Sequence, residues 1–120
     1  MKPLLYASVL FFLFFTPVPS YAITFQELPL ELQFVALCES GGRHYSNGRI
    51  IRSKTDDVGI MQISEKYHFK TARSIGLDIF DPNDNMEYAV ILYNREGLKP
   101  WRASLKCYKQ LSYLSFIPAL

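Results

Sequence analysis

A chain of 120 residues, 49% hydrophobic and 20% charged, with a formal net charge of +2, has room for one small domain and little else. Its charges are scattered, which excludes a nucleic-acid footprint or a polybasic membrane patch. Neither of the two cysteines, Cys38 and Cys107, has a second Cys or His at ligand spacing nearby, so a metal site is not expected.

The N-terminus reads as a leader. Lys2 is the positive start, Leu4 to Phe15 is almost unbroken apolar chain, Thr16-Pro17-Val18-Pro19 breaks a helix, and Ser20-Tyr21-Ala22 supplies small residues for cleavage. The apolar run falls short of the roughly 20 residues that span a bilayer, so a signal peptide at 1–22 is favoured over a retained anchor. Its removal takes away one cation and no acid, lowering the net charge from +2 to +1. The destination is periplasmic or secreted, an oxidising place where Cys38 and Cys107 read as one disulfide. Closing so long a loop is worth roughly 4 kcal/mol in the chain-entropy account.

The domain is expected over residues 23–107, with a short tail at 108–120. Pro29 sits where a first helical turn tolerates it, and Leu30 to Glu39 reads as a helix with Leu32, Val35, Ala36 and Glu39 on one face. Ser40-Gly41-Gly42 ends it. Asn47-Gly48, between Tyr45 and Ile50-Ile51, predicts a hairpin or a flap. Asp56 to Ile63 leads into a helical segment near His68–Ile75, stopped by Gly76. Asp81-Pro82-Asn83-Asp84 is a helix start. Met86, Ala89, Val90 and Tyr93 mark the buried face of that helix, which ends at Gly97. Tyr108 to Leu120 either packs on the domain or stays loose. The fold class is mainly α: three or four helices, a short β-hairpin or loop insert, and one disulfide.

Glu39 is the anomaly, because it occupies the apolar face of its helix. Burial raises a carboxyl's pKa and keeps it protonated near neutrality, as a general acid requires. The bland alternative is a Glu at a frayed helix end pointing into water. His44 and His68 lack a nucleophile partner or metal spacing and read as surface or satisfied residues. There is no phosphate-cradling glycine loop and no dinucleotide fingerprint.

Cys38-Glu39-Ser40-Gly41-Gly42, followed by Gly59-Ile60-Met61-Gln62-Ile63, resembles the lysozyme-like lytic transglycosylase family of SLT type. Trp101 and Cys107 fill places that resemble the resuscitation-promoting-factor branch, and Asp81-Pro82 with Asn85 is similar to the family's Asp-Pro…Asn-Ile segment. The resemblance spans Leu30 to Cys107 and implies a lysozyme-like fold acting, without cofactor, on peptidoglycan glycan strands as a monomer. It implies cleavage of the MurNAc–GlcNAc β-1,4 bond, with Glu39 first as acid and then as base toward the muramyl 6-hydroxyl, giving 1,6-anhydro products. Because the substrate supplies its own nucleophile, no second carboxylate is needed.

Gln62 and Met61 carry over as cleft-wall residues, with core filling the other use of Met61. Gly59 fits a close backbone approach, and Ser40 is placed to hydrogen-bond near Glu39 and set its rotamer. Trp101 either stacks on a sugar or fills the core beside the disulfide. Tyr93-Asn94 is a poor match to the family's late Ala-Tyr-Asn segment, so the group facing Glu39 is not identified. Asp56 and Asp57 are either a turn pair or the second carboxylate of a hydrolytic muramidase. A catalytically silent glycan-binding protein of the same fold is the remaining alternative.

Overall fold

The computed structural model describes residues 22–116; the expected leader lies outside them except for Ala22. A 3-10 turn at Phe25–Glu27 leads into helix α1 (Leu30–Ser40). Gly41 follows at φ +69°, and its N–H reaches back to Leu37 O (3.1 Å). That left-handed residue closes α1 as the Ser-Gly-Gly break predicts.

Two small antiparallel hairpins come next. β1 (Tyr45–Ser46) pairs with β2 (Arg49–Ile50). Both turn residues, Asn47 and Gly48, have positive φ, the conformation an Asn-Gly hairpin requires. β3 (Asp57–Val58) pairs with β4 (Ile63–Ser64) around the Gly59–Gln62 turn. This second hairpin is not predicted from the sequence, since its paired segments are two residues each and carry almost no alternation. Gly59 N–H to Ile51 O (2.8 Å) and an Arg52–Val58 bridge join it to the first.

Helix α2 (Glu65–Ser74) starts three residues ahead of the His68 expectation, directly after β4. α3 (Pro82–Glu96) has the predicted bounds, and the Asp81 side chain accepts from Asn83 and Asp84 N–H at 3.0 Å each. Its buried face differs from the expected one. Asn85, Tyr88, Ala89 and Leu92 are buried with Met86, whereas Val90 and Tyr93 are only half-buried. The helix is turned to bring the Asn85 amide inside, where it has bonds to make.

A 3-10 segment (Lys99–Ser104) then runs into α4 (Leu105–Ser115). The beginning of the tail is therefore helical. It packs on α1 and buries Tyr108, and the disulfide Cys38–Cys107 joins the two helices. Among the described residues the fold is mainly helical, with four α-helices and two small hairpins. None of these helices is long and apolar enough to cross a membrane. The core gathers Leu32, Val35 and Ala36 of α1 with Met61, Ile63, Ile79, Tyr88, Leu92 and Trp101.

Candidate active site

The Gly59–Gln62 turn is bracketed by side chains from four parts of the chain. Ser40 at the end of α1 donates to Ile60 O (2.7 Å), and Ile60 N–H donates to His44 Nδ1 (3.1 Å). Asn85 accepts from Met61 N–H (3.0 Å) and donates to Val58 O (2.9 Å) and Ile79 O (2.8 Å). Trp101 Nε1 donates to Met61 O (2.8 Å). Because His44 Nδ1 accepts, its proton sits on Nε2, which donates to Phe80 O (2.8 Å). Burial lowers the His44 pKa, against the raising influence of Phe80 O and Asp81.

Glycine at position 59 has a steric reason. With φ at +75°, a Cβ there would lie 2.3 Å from His44 Cε1 and 2.9 Å from Asn85 Nδ2. The close approach expected of Gly59 is thus to the protein's own His44 and Asn85.

Glu39 lies in the last turn of α1, half-buried. Its Oε1 accepts from the Ser104 hydroxyl at 2.5 Å across 65 residues of chain. Burial pushes its pKa up; the Ser104 hydroxyl pulls it down, and the charge of Asp57 pushes it up. Burial is the largest of the three, so the carboxyl holds its proton to higher pH than an ordinary glutamate.

Asp57 and Asp56, adjacent in sequence, have different surroundings. Asp57, half-buried on β3, accepts at Oδ2 from both Ser53 Oγ and Thr55 Oγ1, each at 2.7 Å. Asp56 is exposed at φ +60° and pairs with Arg52 at 3.2 Å, while Arg52 also holds Glu65 at 2.6 Å. Asp56 therefore faces a cation, and Asp57 acts on Glu39.

A cleft of about 650 Å³ runs between the second hairpin with the start of α2 on one side and the 3-10 segment on the other. Its wall includes Thr55, Asp57, Gln62, Tyr67, Trp101 and Arg102. Glu39 is not itself on this wall; Asp57, whose charge acts on it, is, and its hydrogen-bond partner Ser104 lies two residues beyond Arg102 of the wall.

Among the site candidates singled out from the sequence, Asp56, Asp57, Gln62 and Trp101 line the cleft. Gln62 (φ +50°) donates from Nε2 to Gly59 O (2.9 Å) and Ile51 O (3.3 Å). Trp101 is 3% exposed, so it fills the core and offers the cleft only an edge. Ser40, Gly59 and Met61 are buried and act behind the wall. The hydroxyl that reaches Glu39 belongs to Ser104, whereas that of Ser40 is spent on Ile60 O and Ala36 O. His44 is a satisfied residue, and His68 Nδ1 pairs with Tyr88 Oη at 3.0 Å at the cleft's edge. Ser104 is absent from the sequence expectations, and Asn85 enters them only through the Asp-Pro…Asn segment. Asn85 carried a signal, since a polar residue at 85 is in helical register with Tyr88, Ala89 and Leu92; Ser104 carried none. No family model, curated protein or solved structure matches this chain.

Proposed function

We propose that this protein is a peptidoglycan lytic transglycosylase that cleaves the MurNAc–GlcNAc β-1,4 bond with Glu39 as its single acid/base. The observation that carries the reading is a half-buried carboxyl with a raised pKa at a helix end, hydrogen-bonded by Ser104 and acted on by the charge of Asp57, a residue of the cleft wall. A carboxyl that holds its proton to higher pH than an ordinary glutamate is better suited to deliver it to a leaving glycosidic oxygen. The resemblance of Cys38–Gly42 and Gly59–Ile63 to the lysozyme-like transglycosylases supplies the substrate class.

In the reaction, Glu39 gives its proton to the glycosidic oxygen as the bond to the muramyl anomeric carbon breaks. The Asp57 charge favours the positive charge that develops on that carbon. The muramyl 6-hydroxyl then bonds to the same carbon and returns its proton to Glu39, which closes the 1,6-anhydro ring and restores the acid.

One observation favours a second reading. Asp57 is held by two hydroxyls and acts electrostatically on Glu39, a pairing that also suits hydrolysis with Asp57 activating water or attacking carbon. The product mass separates the two readings. The protein is incubated with purified peptidoglycan and the released muropeptides are weighed. Anhydro ends, lighter by one water, are expected; reducing ends would instead establish a muramidase. Binding without release would establish a silent glycan-binding protein, and full activity in a Glu39→Gln variant would overturn both enzymatic readings.

A further inference from the structure

We propose that Ser104 is the positioning residue of this site: by donating its hydroxyl hydrogen to Oε1 of Glu39, it confines the carboxyl proton to Oε2 and aims that oxygen at the substrate. The inference rests on the reading of Glu39 as acid/base.

The geometry of the pair is constrained at both ends. Ser104 Oγ lies 2.5 Å from Glu39 Oε1 and is the hydrogen-bond partner of that carboxyl among the described residues. The 3-10 segment that carries Ser104 is pinned at Trp101, whose indole donates to Met61 O at 2.8 Å. Three residues past Ser104, Cys107 is bonded to Cys38, the residue before Glu39. A covalent tie and a buried indole thus flank the hydroxyl, so little orientational freedom remains to be lost when substrate arrives.

One hydroxyl held in this way serves both halves of the reaction. While Oε1 accepts from Ser104, the carboxylic proton resides on Oε2, and Oε2 delivers it to the glycosidic oxygen. The resulting carboxylate keeps its Oε1 bond, and a lone pair on Oε2 takes back the proton from the attacking 6-hydroxyl. The Ser104 proton never leaves its own oxygen. The neighbour of opposite influence is Asp57 on β3, which raises the Glu39 pKa where the hydroxyl lowers it. The cations Arg43, Lys99, Arg102 and Lys106, each within five residues of Glu39 or Ser104 in sequence, are exposed, where water and salt screen them.

The test follows the Glu39 carboxyl itself. Its carbon resonance is titrated in wild type, Ser104→Ala and Ser104→Thr, and rate against pH is measured on peptidoglycan for the same proteins. Removing the hydroxyl removes a lowering influence. In Ser104→Ala the Glu39 midpoint should therefore move to higher pH, and the basic limb of the rate profile should move with it. The rate constant at the optimum should fall on the order of 10-fold, with KM changed less, because Oε2 is no longer aimed. Ser104→Thr should restore both the midpoint and the rate. An unmoved midpoint in Ser104→Ala, or a Thr variant as impaired as Ala, overturns the positioning role while leaving the enzymatic reading intact. Absence of muropeptide release by wild type overturns the enzymatic reading, and the positioning role with it.

Discussion

Around Gly59–Gln62, Ser40, His44, Asn85 and Trp101 supply a partner for each buried peptide group they reach. Around Glu39 there is one hydroxyl and one like charge. Both regions take polar groups out of water, with opposite outcomes. Peptide groups gain neutral partners, and no buried side-chain nitrogen or oxygen among the described residues lacks a hydrogen bond. Such a network is rigid and costs little, since every group is satisfied. The carboxyl has no salt-bridge partner among the described residues, and burial raises its pKa. The turn is thus fixed by several neutral hydrogen bonds, whereas the carboxyl has the single bond from Ser104.

The comparison breaks most completely at Gly59. Gly59→Ala drives a methyl group into the His44 ring and the Asn85 amide at a backbone angle that L side chains rarely adopt. A loss of about 4 kcal/mol or more is expected, seen as a protein with no cooperative thermal transition. A variant with a melting temperature near wild type would show that the turn is not the rigid half of the pair.

Glu39→Gln tests the other half. Cleavage of peptidoglycan should fall by about 10²–10⁴-fold, while stability at neutral pH is retained or slightly raised. The sign follows from linkage. A carboxyl whose folded pKa lies above its unfolded value binds more protons in the native state, so its contribution to stability declines as pH rises through that window. Replacing it with a neutral amide removes the decline. Calorimetry at pH 5 and pH 8 on both proteins checks this; a large loss of stability in the variant would mean that Glu39 is structural.

The disulfide joins α1 to α4 across 69 residues. A Cys38→Ser, Cys107→Ser double variant should lose about 4 kcal/mol in the chain-entropy account, measurable by denaturant unfolding. It should also release the Ser104 side of the Glu39 pair before the bracketed turn, so hydrogen exchange is expected to accelerate first in α4.

The smallest effect belongs to the satisfied region. Burial lowers the pKa of His44, so the unfolded chain takes up a proton at a pH where the native state does not. Stability present above about pH 6.5 should decline as pH falls through the His44 folded pKa. A His44→Gln variant that is no less acid-sensitive than wild type would assign that decline to other groups, beginning with His68, whose pKa burial also lowers.

Much of the fold is legible in the chain because local signals coincide with it. Asp81-Pro82 starts α3 and the glycine after Ser40 ends α1. Asn47-Gly48 forms the predicted hairpin, and Leu32, Val35 and Ala36 define the buried face of α1. The second hairpin and α4 were not legible. Two-residue strands have no readable period, and α4 holds one buried residue, Tyr108, so its apolar pattern is weak.

For the site, the sequence by itself determined that a glutamate lies on the apolar face of α1, beside a cysteine and ahead of a glycine turn. It left the group facing that glutamate unnamed, because nothing local ties position 39 to position 104. Only tertiary structure decided that Ser104 meets Glu39, that Asp57 rather than Asp56 acts on it, and that Ser40 and Met61 lie behind the cleft wall. The physical reason is that helical periodicity reports which way a side chain points. Its partner depends on which distant segment the core and the disulfide bring against that face.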